Sequence, residues 1–134
     1  MNQKEVHIIH FPKIQDPRGN LTFLQHADQI PFEIARVFWT YDVPGGEIRG
    51  GHAYKEQEEV IIALSGSFDV LIKQPNGETF RYSLNRSYYG LYLPPFTWRH
   101  MENFSTNALS IHLSNKAFSK EDYIRDFNEY TKKK

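Results

Sequence analysis

Gly45-Gly46-Glu47-Ile48-Arg49-Gly50-Gly51-His52-Ala53-Tyr54-Lys55-Glu56-Gln57-Glu58-Glu59 runs straight into the apolar stretch Val60-Ile61-Ile62-Ala63-Leu64. Four glycines, an arginine and a histidine ahead of a β-branched run make an unusual start for a plain strand. Two-residue alternation puts Gly50, His52, Tyr54 and Glu56 on one face and Arg49, Gly51, Ala53 and Lys55 on the other, unless a bulge shifts the register. His52 and Tyr54 then share one interior. The glycines remove bulk around the histidine, which lets a ligand or a second backbone approach, although a turn and a barrel corner ask for the same residues. On this spacing alone His52 reads equally as a functional group and as a hydrogen-bonded core residue.

Outward from this stretch, short β-branched and aromatic segments recur at Val6–Phe11, Leu21–Gln25, Ile34–Tyr41, Glu59–Leu64, Phe68–Lys73, Thr79–Leu84, Tyr88–Leu93 and Ala108–Leu113. Pro17–Gly19, Pro44–Gly46, Ser65–Ser67, Asn76-Gly77 and Pro94-Pro95 separate them, the punctuation of an antiparallel sandwich or barrel. Asn76-Gly77 predicts a hairpin, because both positions tolerate positive φ. Beyond Leu113 the period changes: Tyr123, Ile124, Phe127 and Tyr130 fall at helical spacing behind a capping-box pattern at Ser119–Asp122, which predicts one helix over residues 119–131. With no repeat or linker, 134 residues are expected to form one domain, 1–134, around one core.

Lys plus Arg and Asp plus Glu each number 16, so no net field draws the molecule to nucleic acid or to an anionic membrane. Any phosphate recognition must be local. The absence of cysteine excludes disulfides, thiolate metal sites and a catalytic thiol, and suits a reducing cytoplasm. Met1 to Ile14 carries neither a signal-peptide core nor a membrane-length apolar stretch, so a soluble cytoplasmic protein is expected.

The order Gly46, His52, Tyr54, Glu58, Gly66, then Gly90, Pro94, His100, resembles the two halves of the cupin pattern. That resemblance implies an all-β fold, the cupin double-stranded β-helix or jelly roll, with the C-terminal α-helix added to it. Tyr54 stands where the pattern usually has a metal ligand. His52, Glu58 and His100 keep open a two-histidine, one-carboxylate iron site. His7, His10, His26 and His112 have no such setting and read as structural. Two guanidinium forks beside glycine, at Asp16-Pro17-Arg18-Gly19 and Arg49-Gly50-Gly51-His52, suit an anionic ligand.

Taken in order, Asp16 to Leu21, Ile30-Pro31-Phe32 with Arg36-Val37, Arg49 to Lys55, Gly90-Leu91-Tyr92, Trp98 and Asp122-Tyr123-Ile124-Arg125 resemble the sugar 3,4-ketoisomerase family, and more distantly the rhamnose-pathway 3,5-epimerases. The resemblance implies an isomerase that converts dTDP-4-keto-6-deoxyglucose into its 3-keto isomer through an enediol, with no cofactor and no metal, and supplies a 3-amino-3,6-dideoxysugar pathway. It implies His52 as the proton-moving base and gives Tyr54, in place of a second histidine, part of that role. Arg99 or Tyr54 would stabilise the enediolate. Arg18, Arg36 and Arg49 would hold the diphosphate, and Tyr92 or Trp98 would offer a ring face to thymine or sugar. Arg36 has a second reading, because inside an apolar strand it is placed to pair with a carboxylate. Arginine at both 18 and 99 is a mixed signature for the C4 configuration of the product, with Arg99 favouring the equatorial, gluco form. The family also implies a homodimer that exchanges N-terminal strands and builds its site from both subunits. A metal-dependent cupin oxygenase and a non-catalytic nucleotide-sugar-binding cupin are the alternatives.

Overall fold

A computed structural model describes residues 5–25 and 28–133, the Lys133 side chain excepted; His26 lies outside the described residues. The strands are β1 (His7–His10), β2 (Lys13–Ile14), β3 (Leu21–Thr22), β4 (Arg36–Tyr41), β5 (Arg49–Tyr54) and β6 (Glu59–Ser65). They continue as β7 (Phe68–Lys73), β8 (Thr79–Leu84), β9 (Tyr89–Leu93), β10 (Trp98–Glu102), β11 (Leu109–Ser114) and β12 (Tyr123–Ile124), and α1 (Phe127–Lys133) closes the chain. Two five-stranded sheets form, in the orders β1-β9-β6-β11-β4 and β12-β5-β10-β7-β8, with β2 and β3 as a separate pair. This is the jelly roll of the cupins.

Strand alternation decides what each sheet buries. From β6, Ile61 and Ala63 turn inward and join Phe68, Val70, Ile72, Leu84, Leu91, Leu93 and Met101, contributed by both sheets. The intervening Val60 and Ile62 face outward, where Phe11, Ile30 and Phe32 cover them. On the outside of the second sheet, Ala53 and Trp98 pack with Ile124 and with Tyr130 of α1. The first sheet is less fully covered. Along its edge strand β4, Val37, Trp39 and Tyr41 are exposed on the outer face.

Among the described residues, no helix is long and apolar enough to cross a membrane. The β7–β8 hairpin forms where Asn76-Gly77 predicts it, with the Gly77 N–H donating to the Gln74 carbonyl at 2.9 Å. Of the two turn residues Gly77 alone takes positive φ; Asn76 contributes its Oδ1, which accepts the Glu78 N–H at 2.8 Å.

The predicted helix over 119–131 is corrected. Residues Lys120–Asp122 form one 3₁₀ turn, and Ser119 makes no side-chain cap bond to it. Tyr123 and Ile124 are strand, paired with Tyr54 and Ala53 of β5. Helix begins only at Phe127, after the Asp126 carboxylate accepts the Asn128 N–H at 2.9 Å. The open edge of β5 supplies backbone partners, and Ile124 is fully buried beside it. Tertiary pairing thus outweighs a local 3.6-residue period.

Candidate active site

A cleft of about 400 Å³ opens between β5, β10 and β12 on one sheet and β4, β6 and β11 on the other. The register of β5 against β10 shapes its floor. Arg99 lies opposite His52, whereas His100 lies opposite Gly50, so Gly51 is an extra, bulged residue. Gly50 and Gly51 both take positive φ, and a Cβ on Gly50 would come within 3.2 Å of the His100 Cα. Only glycine fits that kink without strain. Because of the bulge, strict alternation fails, and Arg49 lines the cleft together with His52 and Tyr54.

The His52 imidazole meets two phenol rings, Tyr54 edge-on at 4.8 Å between centroids and Tyr123 tilted at 5.1 Å. Its Nε2 is buried with no hydrogen-bond partner. Burial first, and the nearby Arg99 guanidinium second, push its pKa from an ordinary 6.5 down to about 3. The ring is therefore neutral at physiological pH. Tyr54 donates its hydroxyl to that of Tyr123 at 3.2 Å. Burial, reinforced by the Glu59 carboxylate, pushes the Tyr54 phenol far above the usual phenol range, so Tyr54 keeps its proton.

Behind these rings lies a buried polar network. Glu59 is almost fully enclosed; its Oε1 pairs with Arg99 Nη1 and its Oε2 accepts from His112 Nδ1 at 2.7 Å. His112 stacks on Phe38 at 4.5 Å between ring centroids, and its Nε2 is 2.9 Å from Ser110 Oγ. Burial alone would raise the Glu59 pKa. The Arg99 charge and the His112 hydrogen bond outweigh it and hold the carboxyl at about 2. Arg99 is further fixed by its Nε, which donates to the Thr97 carbonyl at 3.0 Å, while its Nη2 is buried and unpartnered. The cleft thus joins a neutral imidazole, two phenols and a clamped guanidinium.

The structure brings His52, Tyr54, Arg49 and Arg99 together and places the other sequence-predicted residues elsewhere. Tyr92 and Trp98 do not face the cleft. Strand parity turns Tyr92 to the covered outer face of the first sheet, where its hydroxyl donates to Glu58 Oε1 at 2.5 Å, and turns Trp98 to the outer face of the second, against Phe127 and Tyr130. Arg36 donates to Gln57 Oε1 at 3.1 Å and lies over the Phe38 ring, so its partner is an amide in place of the carboxylate its apolar strand suggested. Arg18 sits on an exposed loop, bonded to Asp16 at 2.9 Å. The proposed iron ligands are also apart from His52: Glu58 serves Tyr92 and Asn115, and His100 Nε2 is 3.1 Å from Glu102. Among the described residues, no three His, Cys, Asp or Glu side chains gather to hold a metal ion.

Sequence reasoning passed over Glu59, Ser110, His112, Tyr123 and Arg125 as site residues. A signal was present in β11, where Leu109-Ser110-Ile111-His112-Leu113-Ser114 alternates with its polar side inward, and Ser110, His112 and Ser114 are all buried. That inversion marks a polar interior. Arg125 lies next to β12, lines the same cleft and holds its guanidinium 4.2 Å from the Tyr123 ring centroid.

Comparison with known proteins agrees with this architecture. Residues 4–134 match the family described as FdtA, WxcM-like, C-terminal. TDP-4-oxo-6-deoxy-α-D-glucose-3,4-oxoisomerase of Aneurinibacillus thermoaerophilus is 35% identical over 125 residues, which span 93% of this chain and 89% of that protein. The crystal structure of QdtA, a sugar 3,4-ketoisomerase from Thermoanaerobacterium thermosaccharolyticum in complex with TDP, superposes with a TM-score of 0.93 at 34% identity, covering 96% of this chain and 93% of the other. A dTDP-4-dehydrorhamnose 3,5-epimerase from Bacillus anthracis, at 15% identity, TM-score 0.76 and coverage of 89% and 77%, shares the fold alone. With the match running over nearly its whole length, the chain belongs to the FdtA family of WxcM-like C-terminal domains.

Proposed function

We propose that this protein is a sugar-nucleotide 3,4-ketoisomerase that interconverts dTDP-4-keto-6-deoxyglucose and its 3-keto isomer. The observation that carries the reading is His52, a neutral imidazole with an unpartnered nitrogen, held in a polar cleft by a bulged strand. A carbonyl at C4 acidifies the hydrogen on C3, so a neutral base suffices to remove it, and the reaction has no net electron demand. His52 takes the C3 proton and returns it to C4. The imidazolium formed meanwhile is stabilised by the enediolate beside it. Arg99, clamped by Glu59 with Nη2 still free, stabilises that enediolate. Arg49, on the same strand as His52, takes the diphosphate.

The product is assigned the equatorial, gluco configuration at C4, which the presence of Arg99 in this cleft favours, and it would supply a 3-amino-3,6-dideoxysugar pathway. We place the enzyme in the cytoplasm, in keeping with its cysteine-free sequence. It is further assigned as a homodimer with exchanged N-terminal strands. The exposed Val37, Trp39 and Tyr41 stripe supports a second copy on the first sheet, and β1, at the edge of that sheet, has the position an exchanged strand needs. Arg18 enters the site only through such a dimer. The reading is tested by incubating the protein with dTDP-4-keto-6-deoxyglucose and following the products by NMR. A 3-keto product with an equatorial C4 hydroxyl is expected, whereas unchanged sugar, with or without tight nucleotide binding, rejects it.

A further inference from the structure

A 3,4-ketone shift moves two hydrogens. One travels from C3 to C4, and the other must leave the C3 oxygen and reach the C4 oxygen. His52 accounts for the first and leaves the second without a carrier. Arg99 is an unsuitable carrier, since a guanidinium does not release its proton in this pH range.

We propose that Tyr123 is a catalytic residue, the acid and base for the oxygen proton, with Tyr54 as the positioning residue that supports it. This inference rests on the ketoisomerase reading above. The two phenols have two protons and one internal hydrogen bond, in which Tyr54 donates to the Tyr123 oxygen at 3.2 Å. Tyr54 is almost wholly buried, whereas Tyr123 is half-buried and lines the cleft. The free proton of the pair therefore belongs to Tyr123. His52 packs against the same ring at 5.1 Å, so the carbon and oxygen protons are handled by neighbouring groups.

The step balances as follows. His52 takes the hydrogen of C3, the charge passes onto the C4 oxygen as the Arg99-stabilised enediolate, and Tyr123 gives that oxygen its proton, leaving a neutral enediol, an imidazolium and a phenolate. Imidazolium then protonates C4 as Tyr123 recovers the proton of the C3 hydroxyl, and both side chains return to their starting forms. Between the two halves the phenolate is stabilised by the Tyr54 hydroxyl, which already donates to that oxygen, and by the Arg125 guanidinium 4.2 Å from the ring. Tyr54, held protonated by burial, is suited to donate and not to titrate.

The test measures isomerisation of dTDP-4-keto-6-deoxyglucose and washout of the C3 hydrogen in heavy water for wild type, Tyr123→Phe, Tyr54→Phe and the double variant, each checked by thermal melting. Tyr123→Phe is expected to lower kcat by about 10²-fold or more with KM within threefold, as loss of a general acid does. Tyr54→Phe should cost about tenfold, and the double variant should be no slower than Tyr123→Phe, because Tyr54 acts through Tyr123. A Tyr123→Phe enzyme with wild-type kcat, or single losses that multiply in the double variant, overturns the inference while leaving the ketoisomerase reading intact. Should Tyr123→Phe not fold, Tyr54→Phe decides: a loss as large as that of His52→Asn makes Tyr54 the acid and overturns the assignment. No isomerisation by wild type overturns the functional reading, and this inference with it.

Discussion

The space between the two sheets is built in two ways. At one end Ile61, Phe68, Val70, Leu84, Leu91, Leu93 and Met101 close into an apolar cluster. At the other, β5, β6, β10 and β11 carry His52, Tyr54, Glu59, Arg99 and His112. β6 shows the contrast within a few residues, since Glu59 and Ile61 point the same way and meet opposite environments. The apolar end gains from leaving water and needs no particular partner. At the polar end burial is unfavourable until each group finds its counter-group; of the four buried side-chain atoms without a partner among the described residues, His52 Nε2 and Arg99 Nη2 lie in the cleft, and Arg36 Nε and Gln57 Nε2 lie outside it. One end holds the fold; the other holds reactivity in place.

The sharpest way to break this contrast is at the base. His52→Asn should lower kcat by about 10³-fold, within the range for loss of a general base, with melting temperature at neutral pH little changed. An active, stable variant would remove the distinction between the two ends. Next comes Glu59→Gln, which leaves the Arg99 charge buried without its counter-ion and should destabilise by about 3–5 kcal/mol in denaturant titration, besides slowing turnover. Leu91→Ala, at the apolar end, should cost a comparable 2–5 kcal/mol, roughly, yet leave activity per folded molecule unchanged. Equal losses of turnover in these two variants would merge the ends functionally.

The polar end also sets how the protein responds to acid. Unfolded, the His52 imidazole takes up a proton near pH 6.5; folded, it refuses one until about 3. Over that window the unfolded state binds more protons, so stability present above pH 6.5 is lost as pH falls. Glu59 acts in the same direction, with an ordinary value of 4.5 unfolded and about 2 folded, extending the loss further down. Melting temperature should decline steadily from pH 7 to pH 4, and His52→Asn should flatten the upper part of that decline. A melting temperature independent of pH would contradict both assignments. The smallest effect is expected at Tyr92→Phe, on the outer face: loss of its bond to Glu58 costs about 1 kcal/mol and turnover persists. Lost turnover there would restore the ring to the ligand.

Much of this was legible in the chain itself. β-Branched runs separated by turn residues predict the antiparallel sheets, and the glycine-flanked His52 marks the strand that floors the cleft. The boundaries that slipped did so where non-local pairing competed with local pattern. Leu21–Gln25 keeps only Leu21–Thr22 as strand, and Trp98–Glu102, with arginine and histidine in its middle, becomes a central strand because β5 and β7 flank it on both sides. Tyr92 and Trp98 suit a ligand-facing role on sequence alone because aromatic residues serve both stacking and core packing. Periodicity along one strand says which residues share a face, but not which face looks into the cleft.

The sequence by itself determined the all-β fold class and the glycine-flanked strand that carries His52, because those depend on local period and turn chemistry, and the order of its short motifs carried the resemblance to the family. Only the tertiary structure decided that Glu59, itself held by His112, clamps Arg99, that the Gly51 bulge brings Arg49 to the cleft, and that Tyr123 is strand and partner to Tyr54 instead of helix. Each of these joins residues from strands distant in the chain. Their energies come from a shared low-dielectric interior that exists only once both sheets have closed over it.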